Sequence, residues 1–217
     1  MFYNTDGMKI DISVLILTHN RQKQFERCLE SVAIAQNTSG FKYNIEILVN
    51  NDTSDICEYY AFDIPVKYYY KSSDNLSVLY KHLFDEAKGK FIYFLEDDDY
   101  MLPEFFNSID LNYDFNFLNF KLFEIREAIE EKRKPFKIPD TNTHFQLSQL
   151  FFKKELIKDF PDGNNLDNDW KLLEQLRSYE HKLIPQIMFV QTKDAGDNIS
   201  DKNLNKDPRW PIRNNMA

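Results

Sequence analysis

The chain reads FIYFLEDDD over residues 91–99, five large apolar residues followed directly by four acids. An unbroken apolar run of this length is typical of a strand that is buried on both faces of a sheet. Carboxylates at the end of such a strand repel one another and are costly to bury without a partner. Because carboxylate oxygens select hard divalent ions such as Mg²⁺ or Mn²⁺, the stretch predicts a cation site at the strand end. The alternative interpretation is a solvated acidic loop.

The composition indicates a globular chain that can bury a sizeable core. Its 217 residues are 42% hydrophobic and include 19 Phe and 12 Tyr, which excludes a disordered chain. A formal net charge of −8 argues against broad electrostatic capture of nucleic acid or of an anionic membrane. With 5 Gly in all, the Gly-rich phosphate-binding loops are poor interpretations.

The sequence shows no targeting signal. The first residues lack a basic segment followed by an apolar run, and no stretch approaches the roughly 20 apolar residues of a transmembrane helix. Two cysteines, Cys28 and Cys57, are too few for a disulfide framework. We therefore expect a cytoplasmic protein, either free, or peripheral to the inner face of the membrane, or in the host cytoplasm if the source is viral.

Strand and helix patterns alternate in the first hundred residues. The predicted strands cover 12–17, 45–49, 66–70 and 91–95, and the predicted helices cover 22–36 and 76–87. Such alternation is typical of a parallel sheet with right-handed crossovers, in which ligands bind beyond the carboxyl ends of the strands. The segments that follow the first, second and fourth strands are therefore expected to meet at one edge of the sheet.

The second half has a different character. Strands are predicted over 115–123, 144–152 and 187–191, and a helix over 166–179. The charge run at 124–137 favours a solvated excursion, and the polar tail at 201–217 favours an irregular lid or arm. We expect one domain, with a nucleotide-binding half over about 10–100 and an acceptor-binding half over about 101–200.

The order of these features resembles the family-2 glycosyltransferases, which have the GT-A fold. ISVLILTHNR at 12–21 is close to the family's first strand and its Thr-x-Asn-Arg ending. EILVNNDTSD at 46–55 looks like the second strand and its acidic turn, and AKGKFIYFL at 87–95 looks like the approach to the family's Asp-x-Asp (DXD) motif. The resemblance covers about residues 10–200. It implies an α/β, Rossmann-like, mostly parallel central sheet flanked by helices, with a smaller antiparallel portion on the acceptor side.

The resemblance implies a nucleotide site at the ends of the first two strands. Thr18, Asn20 and Arg21 would form one wall, and Asn50 and Asp52 would hold the base and ribose. Asn50 stands where the family usually has an Asp that accepts the uracil N3–H. Because an amide both donates and accepts, uracil remains the expected base and cytosine is tolerated. Thr18 and Asn20 also suit a plain strand-to-helix cap.

The acid run occupies the position of the family's metal-binding motif. Asp98 would be the main ligand of Mn²⁺ or Mg²⁺, bridging the ion to the donor diphosphate. Glu96 or Asp97 would contact ribose or a metal-bound water, with Glu96 also a candidate metal ligand, and Asp99 would support the ligands from behind. The ion would neutralise the diphosphate leaving group.

Two family positions carry other residues here. The family often has an Arg in the helix before the metal strand, but residues 76–87 contain none, so Lys81 or Lys71 is expected to face the donor phosphates. A His near the end of the family's core is also missing. Asp194 or Lys193 is expected to take its place, with Asp194 as a metal ligand.

The expected catalytic base is Asp169. LDNDWKLL at 166–173 resembles the family's Glu-Asp-aromatic segment at a helix start, with Asn168 in place of the Glu. Asp169 would take the proton of the acceptor hydroxyl in an inverting transfer. It also suits the helix N-terminus as an acid favoured by the helix dipole. Trp170 is either core or a stacking platform for the acceptor.

The sequence therefore favours a metal-dependent, inverting hexosyl- or pentosyltransferase that uses a nucleotide-diphosphate sugar, most simply a UDP-sugar, in surface glycan synthesis. One alternative is a viral enzyme that glycosylates a hydroxylated base in DNA, with basic residues at 132–137 or 202–213 tracking the phosphate backbone. Another is a non-catalytic sugar-nucleotide-binding protein of the same fold, because Asn50 and Asn168 depart from the family pattern.

Overall fold

The described part of the chain forms one extended sheet with helices packed against it. The computed structural model describes residues 9–52, 58–59, 64–124, 137–139, 146–161 and 168–193. The strands are β1 (Ile12–Thr18), β2 (Ile45–Asn51), β3 (Val66–Tyr69), β4 (Phe91–Phe94), β5 (Tyr100–Met101), β6 (Phe115–Glu124), β7 (Leu150–Lys153) and β8 (His181–Lys193). The helices are α1 (Gln22–Thr38), α2 (Leu76–Glu86), α3 (Phe105–Ser108) and α4 (Asn168–Leu176). Within these ranges no helix has both the length and the apolar character needed to cross a membrane.

All eight strands belong to one sheet, in the order β3-β2-β1-β4-β7-β6-β8-β5. Strands β3, β2, β1 and β4 are parallel neighbours. Strand β7 is antiparallel to both β4 and β6, β8 is parallel to β6, and β5 is antiparallel to β8. This arrangement confirms the predicted α/β class, with a parallel half built through helical crossovers and a second half that contains the antiparallel pairs.

Apolar side chains cover both faces of the sheet. In β1, Val14 and Ile16 join the core cluster that includes the buried face of α1. Leu15, between them, joins the cluster formed with α2 and α4. This division follows from the alternation of side chains along a strand. Because both faces are covered, the parallel strands read in the sequence as continuous apolar runs.

A buried hydrogen-bond cluster fixes where β4 begins. The Gly89 N–H donates to Ser13 Oγ at 2.8 Å, and Ser13 Oγ donates to Glu46 Oε1 at 2.6 Å. The Lys88 N–H donates to the same Glu46 oxygen at 2.6 Å. A Cβ on Gly89 would lie 2.4 Å from the Ser13 nitrogen, so only glycine fits this approach. The cluster holds β4 against β1 and thereby sets the position of the acids that follow β4.

Several elements differ from the sequence-based expectation. The strand predicted over 144–152 begins only at Leu150, because residues 147–149 form a 3₁₀ turn. The short strand predicted over 187–191 is part of the 13-residue β8, whose pairing with β6 continues across register shifts near Asn119. Strand β5 and helix α3 were not predicted. Residues 125–136, most of the charge run, and the tail lie outside the described residues.

Gly89→Ala is expected to lower the free energy of unfolding by about 3 kcal/mol, because the added methyl group meets main-chain atoms that cannot move aside. Gly40→Ala is the matched control. Gly40 has a φ of +67° but open space around an added Cβ, so only the backbone strain of about 1 kcal/mol should appear. Urea unfolding followed by circular dichroism measures both. Equal losses in the two variants would contradict the packing role given to Gly89.

Candidate active site

Three strand ends meet at one edge of the sheet. Thr18, the last residue of β1, pairs with Asn51, the last residue of β2, and β4 runs alongside β1. The segments that follow contact one another. The Asp52 N–H donates to the Thr18 carbonyl at 3.4 Å, and Arg21 donates to a carboxylate of the acid run. The expected meeting of these segments is therefore confirmed.

The four acids form a tight turn directly after β4. The Asp99 N–H donates to the Glu96 carbonyl at 3.0 Å, and the Cys28 thiol of α1 contacts the same carbonyl at 3.5 Å. Asp97, Asp98 and Asp99 are buried, and Glu96 is half-buried. The run is therefore a fixed part of the interior edge of the sheet and not a solvated loop.

Arg21 supplies positive charge to this turn. Its Nη1 donates to Asp98 Oδ2 at 2.8 Å, its Nε donates to Asp97 Oδ2 at 3.3 Å, and its Nη2 contacts Asp97 Oδ1. Bonds between ionised partners that are partly shielded from water are stronger than neutral ones. Arg21, at the start of α1, thus ties the first strand end to the acid turn.

The Arg21 guanidinium, even with that of Arg27 beside the turn, does not balance four carboxyl groups. Burial and then the Asp98 charge raise the pKa of Glu96 to about 8. Burial raises the pKa of Asp97 to about 7, although the Arg21 charge opposes it. Burial and the charge of Glu96 raise the pKa of Asp99 well above its usual range. The turn therefore favours the binding of a further cation, or of protons in its place.

The acids have a geometry that suits a divalent cation. Glu96, Asp98 and Asp99 can each place one carboxylate oxygen within 4.8 Å of the other two. Asp99 Oδ2 is buried and makes no hydrogen bond among the described residues. An all-oxygen donor set with an unsatisfied buried oxygen fits Mn²⁺ or Mg²⁺. The turn thus brings together the expected ligands Asp98 and Glu96 and adds Asp99, whereas Asp194 lies outside the described residues.

Residues from α1 and β8 hold the main chain of the turn. Thr192 Oγ1 donates to the Asp98 carbonyl, and the Thr192 N–H donates to Asp99 Oδ1 at 2.9 Å. Arg27 Nη2 donates to the Asp98 carbonyl at 2.5 Å, with its guanidinium 5.0 Å from the ring centre of Tyr100. Sequence reasoning missed Thr192 and Arg27, because both bond to the Asp98 carbonyl and nothing in their local sequence marks them.

Asn50 is buried, and its amide is bonded to main-chain atoms. Its Nδ2 donates to the Lys71 carbonyl at 2.9 Å, and its Oδ1 accepts from the Lys71 N–H at 3.2 Å. An aspartate could accept the second bond but could not donate the first. This pairing gives a structural reason for Asn at a position where the resemblance leads one to expect Asp. One donor and one lone pair of the amide lie outside these two bonds.

The other residues expected at the nucleotide wall lie around this edge. Thr18 is buried, and Asn20 is exposed with a φ of +51°, a conformation that Asn tolerates better than most residues. Asp52 Oδ1 lies 2.7 Å from Nδ1 of His19. This contact joins the turn after β1 to the turn after β2, so that both can border one ligand.

Helix α2 presents Tyr80, and not Lys81, towards the acids. Lys81 Nζ bonds to Asp85 Oδ2 at 2.8 Å on the exposed side of the helix. The half-buried Tyr80 packs edge-on against Phe94, with ring centres 5.2 Å apart. Burial and then the charge of Glu96 raise the pKa of Tyr80 well above its usual range. Lys71, the other expected cation, is exposed.

Asp169 lies in the first turn of α4, close enough to the acid turn for its charge to act on Glu96. The Leu147 N–H donates a hydrogen bond to its carboxylate, but burial outweighs this bond and raises the Asp169 pKa to about 7. The Asp169 charge also contributes, after burial and Asp98, to the raised pKa of Glu96. Trp170 packs against the core cluster shared with α2, 5.9 Å from the Arg177 guanidinium, which favours a core role.

The segment that contains most of this site matches the model of a known protein family. A family model described as glycosyl transferase family 2 matches residues 13–166, more than half of the chain. The chain belongs to glycosyl transferase family 2. The matched segment contains the ends of β1, β2 and β4 and the whole acid turn, and it ends just before α4.

One curated protein is similar to this chain in sequence, and two solved structures are similar to it in fold. EpsH of Bacillus subtilis (strain 168), whose name is that of a glycosyltransferase, is 31% identical over 100 residues, which are 43% of this chain and 28% of EpsH. S. aureus TarS in complex with UDP-GlcNAc has a TM-score of 0.62 at 16% identity, covering 88% of this chain and 61% of that chain. PcManGT, a mannosyltransferase from Pyrobaculum calidifontis in complex with GDP-Man and Mn²⁺, has a TM-score of 0.60 at 11% identity, covering 92% and 61%. The chain spans less than two thirds of each of these proteins.

Asn50→Asp is expected to lower the free energy of unfolding by about 1–3 kcal/mol, because a buried carboxylate would then face the Lys71 carbonyl. Asn44→Asp is the matched control, since Asn44 Nδ2 also donates to a carbonyl, that of Lys9, but is exposed. Chemical unfolding of both variants above pH 7 measures the difference. If Asn50→Asp were as stable as the control, the two bonds to Lys71 would not explain the amide at this position.

Proposed function

We propose that this chain is a metal-dependent, inverting glycosyltransferase that moves a sugar from a UDP-sugar to a hydroxyl group of a surface glycan, in the cytoplasm. The observation that carries the proposal is the grouping of Glu96, Asp98 and Asp99 at the strand ends, with Asp169 close enough for its charge to act on Glu96. Membership of family 2 supports the reaction class. Family membership does not determine the metal, the base of the donor nucleotide, the stereochemistry or the acceptor, which are part of the proposal.

In this proposal the sugar donor and the metal ion bind at the same place, the acid turn. Asp98 and Glu96 hold Mn²⁺ or Mg²⁺, with Asp99 as a third oxygen ligand. Held there, the cation supplies the positive charge that a diphosphate leaving group needs. In helix α2, Tyr80 lies towards the acids while Lys81 pairs with Asp85, so Lys81 is not proposed to bind the phosphates. The phosphates are instead proposed to contact the cation held by the acid turn. The UDP-GlcNAc bound by TarS and the GDP-Man and Mn²⁺ bound by PcManGT support this donor class.

The nucleotide lies across the ends of β1 and β2 in this proposal. Thr18 and Asn20 border it from the first strand, and Asp52 holds the ribose with His19 at its side. Because Asn50 is fully buried, the base reaches the donor and the lone pair that lie outside its bonds to Lys71 only when the side chains that cover the amide move aside. Because these atoms can match uracil but also cytosine, the choice of UDP over CDP is the part of the donor assignment most open to test.

Asp169 is the proposed base. A general base works best when its pKa lies near the working pH, and burial raises the Asp169 pKa to about 7. The Leu147 N–H fixes the direction of the carboxylate, so that it can take the proton from an acceptor hydroxyl. Attack by that oxygen from the side opposite the diphosphate inverts the configuration of the sugar carbon.

The DNA-modifying alternative has no comparable support. Its candidate basic residues lie outside the described residues, apart from the exposed Lys137. The non-catalytic alternative has one observation in its favour, since the Asn50 amide is already bonded to main-chain atoms. It differs from the enzyme in a single respect, because such a protein would bind the donor without transferring or hydrolysing it.

Asp98→Asn is expected to remove the rise in melting temperature that a UDP-sugar with Mn²⁺ gives, because ligand binding stabilises the native state by mass action. The measurement is a thermal-shift panel of UDP-, CDP- and GDP-sugars, each with Mn²⁺ and with EDTA. Asp159→Asn, a change at an exposed acid, serves as the control and should keep the shift. A shift that persists in EDTA would contradict metal dependence, and a shift with CDP-sugars alone would contradict the assignment of uracil.

Asp169→Asn is expected to lower turnover by about 10²- to 10⁴-fold, the usual contribution of a general base, while the donor-dependent thermal shift remains. In the wild-type chain, turnover should rise with pH and level off above about 7, since the base acts only when ionised. Initial rates of UDP release between pH 5 and 9 measure both effects. Unchanged turnover in the variant would contradict the base assignment, and donor binding without any turnover in the wild type would favour the non-catalytic protein.

A further inference from the structure

Arg21 divides its bonds unequally between two neighbouring acids. Two of its nitrogens, Nε and Nη2, contact the two carboxylate oxygens of Asp97, while Nη1 donates to Asp98 Oδ2 at 2.8 Å. The Arg21 side chain is 21% exposed, whereas those of Asp97 and Asp98 are 1% and 4% exposed. Arg21 contacts both carboxylate oxygens of Asp97, one through a hydrogen bond from Nε and the other through the ion pair with Nη2, so it can keep Asp97 as a partner if its bond to Asp98 is lost.

The bond to Asp98 places a guanidinium beside the proposed cation. Asp98 belongs to the group of three acids that can surround a metal ion, and Asp97 is absent from the one such group found among the described residues. The same Asp98 carboxylate therefore serves Arg21 in the structure and a divalent ion in the proposed reaction. A guanidinium and a divalent cation on one carboxylate repel each other, strongly so where water is scarce.

We propose that Arg21 and the divalent cation compete for Asp98, and that Asp97 is the residue that retains Arg21 when the cation enters. This inference rests on the proposed metal-dependent function. In the exchange, the bond from Nη1 to Asp98 breaks, Asp98 becomes available as a metal ligand, and Arg21 stays in place through Nε and Nη2.

In this competition Asp97 has an indirect role and is not itself a metal ligand. Asp97 acts on the metal site through Arg21, by keeping the guanidinium close when its bond to Asp98 is lost. If Asp97 is removed, Arg21 has only Asp98 as a carboxylate among these contacts, and the cation must displace it completely. If Arg21 is removed as well, the identity of residue 97 should matter little. A direct ligand would behave differently, since its removal would weaken the metal site whether or not Arg21 was present.

Binding of Mn²⁺ to the full chain, without donor, tests this by electron paramagnetic resonance of the unbound ion. Arg21→Gln is expected to tighten Mn²⁺ binding about tenfold, in line with the loss of one charge-assisted bond that competes for the ligand. Asp97→Asn is expected to weaken binding. The double variant Arg21→Gln/Asp97→Asn should bind like Arg21→Gln alone. Each pairwise comparison is one side of a double-mutant cycle, which isolates the coupling between the two residues.

Lys23→Gln is the matched control, because Lys23 is an exposed cation in the first turn of the same helix α1. It removes one positive charge from that helix and should change Mn²⁺ affinity by less than about threefold. Melting temperatures in EDTA check the fold. If Arg21→Gln fails to fold because Asp97 loses its counter-ion, the double variant carries the test and must bind Mn²⁺ more tightly than the wild type.

The outcomes separate this inference from the function on which it rests. If the wild type binds Mn²⁺ and neither Arg21 variant binds it more tightly, the exchange is wrong and the metal-dependent function stands. Equal weakening by Asp97→Asn in both backgrounds would make Asp97 a ligand and would also overturn the exchange. If neither the wild type nor any variant binds Mn²⁺, with or without a UDP-sugar, both the exchange and the metal dependence are wrong.

Discussion

Four carboxyl groups at the end of one buried strand are the constraint on which this structure depends. Charges removed from water are costly unless other groups of the protein or a bound ion balance them. The order of the strands supplies that balance. Strand β1 lies beside β4 and brings Arg21 to the acids, and β5, which follows the acids directly, pairs with β8 and brings Thr192.

Two separate sets of contacts hold the turn. Arg27 and Thr192 bond to the Asp98 carbonyl, so they fix the path of the main chain without occupying the Asp98 carboxylate. Arg21 bonds to carboxylates and reduces their mutual repulsion. Because the backbone is fixed by the first set, exchange of the second set for another cation needs little rearrangement. Such preorganisation is what makes electrostatic stabilisation of a developing charge effective.

Much of the parallel half could be predicted from the sequence. The bounds of β1, β2 and β4 lie within two residues of the prediction, since apolar runs and helical periodicity are local signals. The convergence of Arg21 and the acids followed from the rule that ligand sites form at the carboxyl ends of parallel strands. The antiparallel half was harder, because β5 and the full length of β8 depend on pairing between segments far apart in the chain. The roles of Thr192 and Lys81 could not be predicted either. Residue spacing does not show that Thr192 bonds to the Asp98 carbonyl, or that Lys81 lies on the exposed side of its helix.

We propose that the acid turn is a metal site that receives a nucleotide diphosphate. The most direct measurement is the anomalous scattering of crystals grown with Mn²⁺ and UDP. We expect one strong manganese peak, coordinated by carboxylate oxygens of Glu96, Asp98 and Asp99, with the diphosphate on its open side. A peak away from the turn, or UDP bound with Arg21 and Asp98 still paired and no manganese beside them, would show that the turn does not bind the metal.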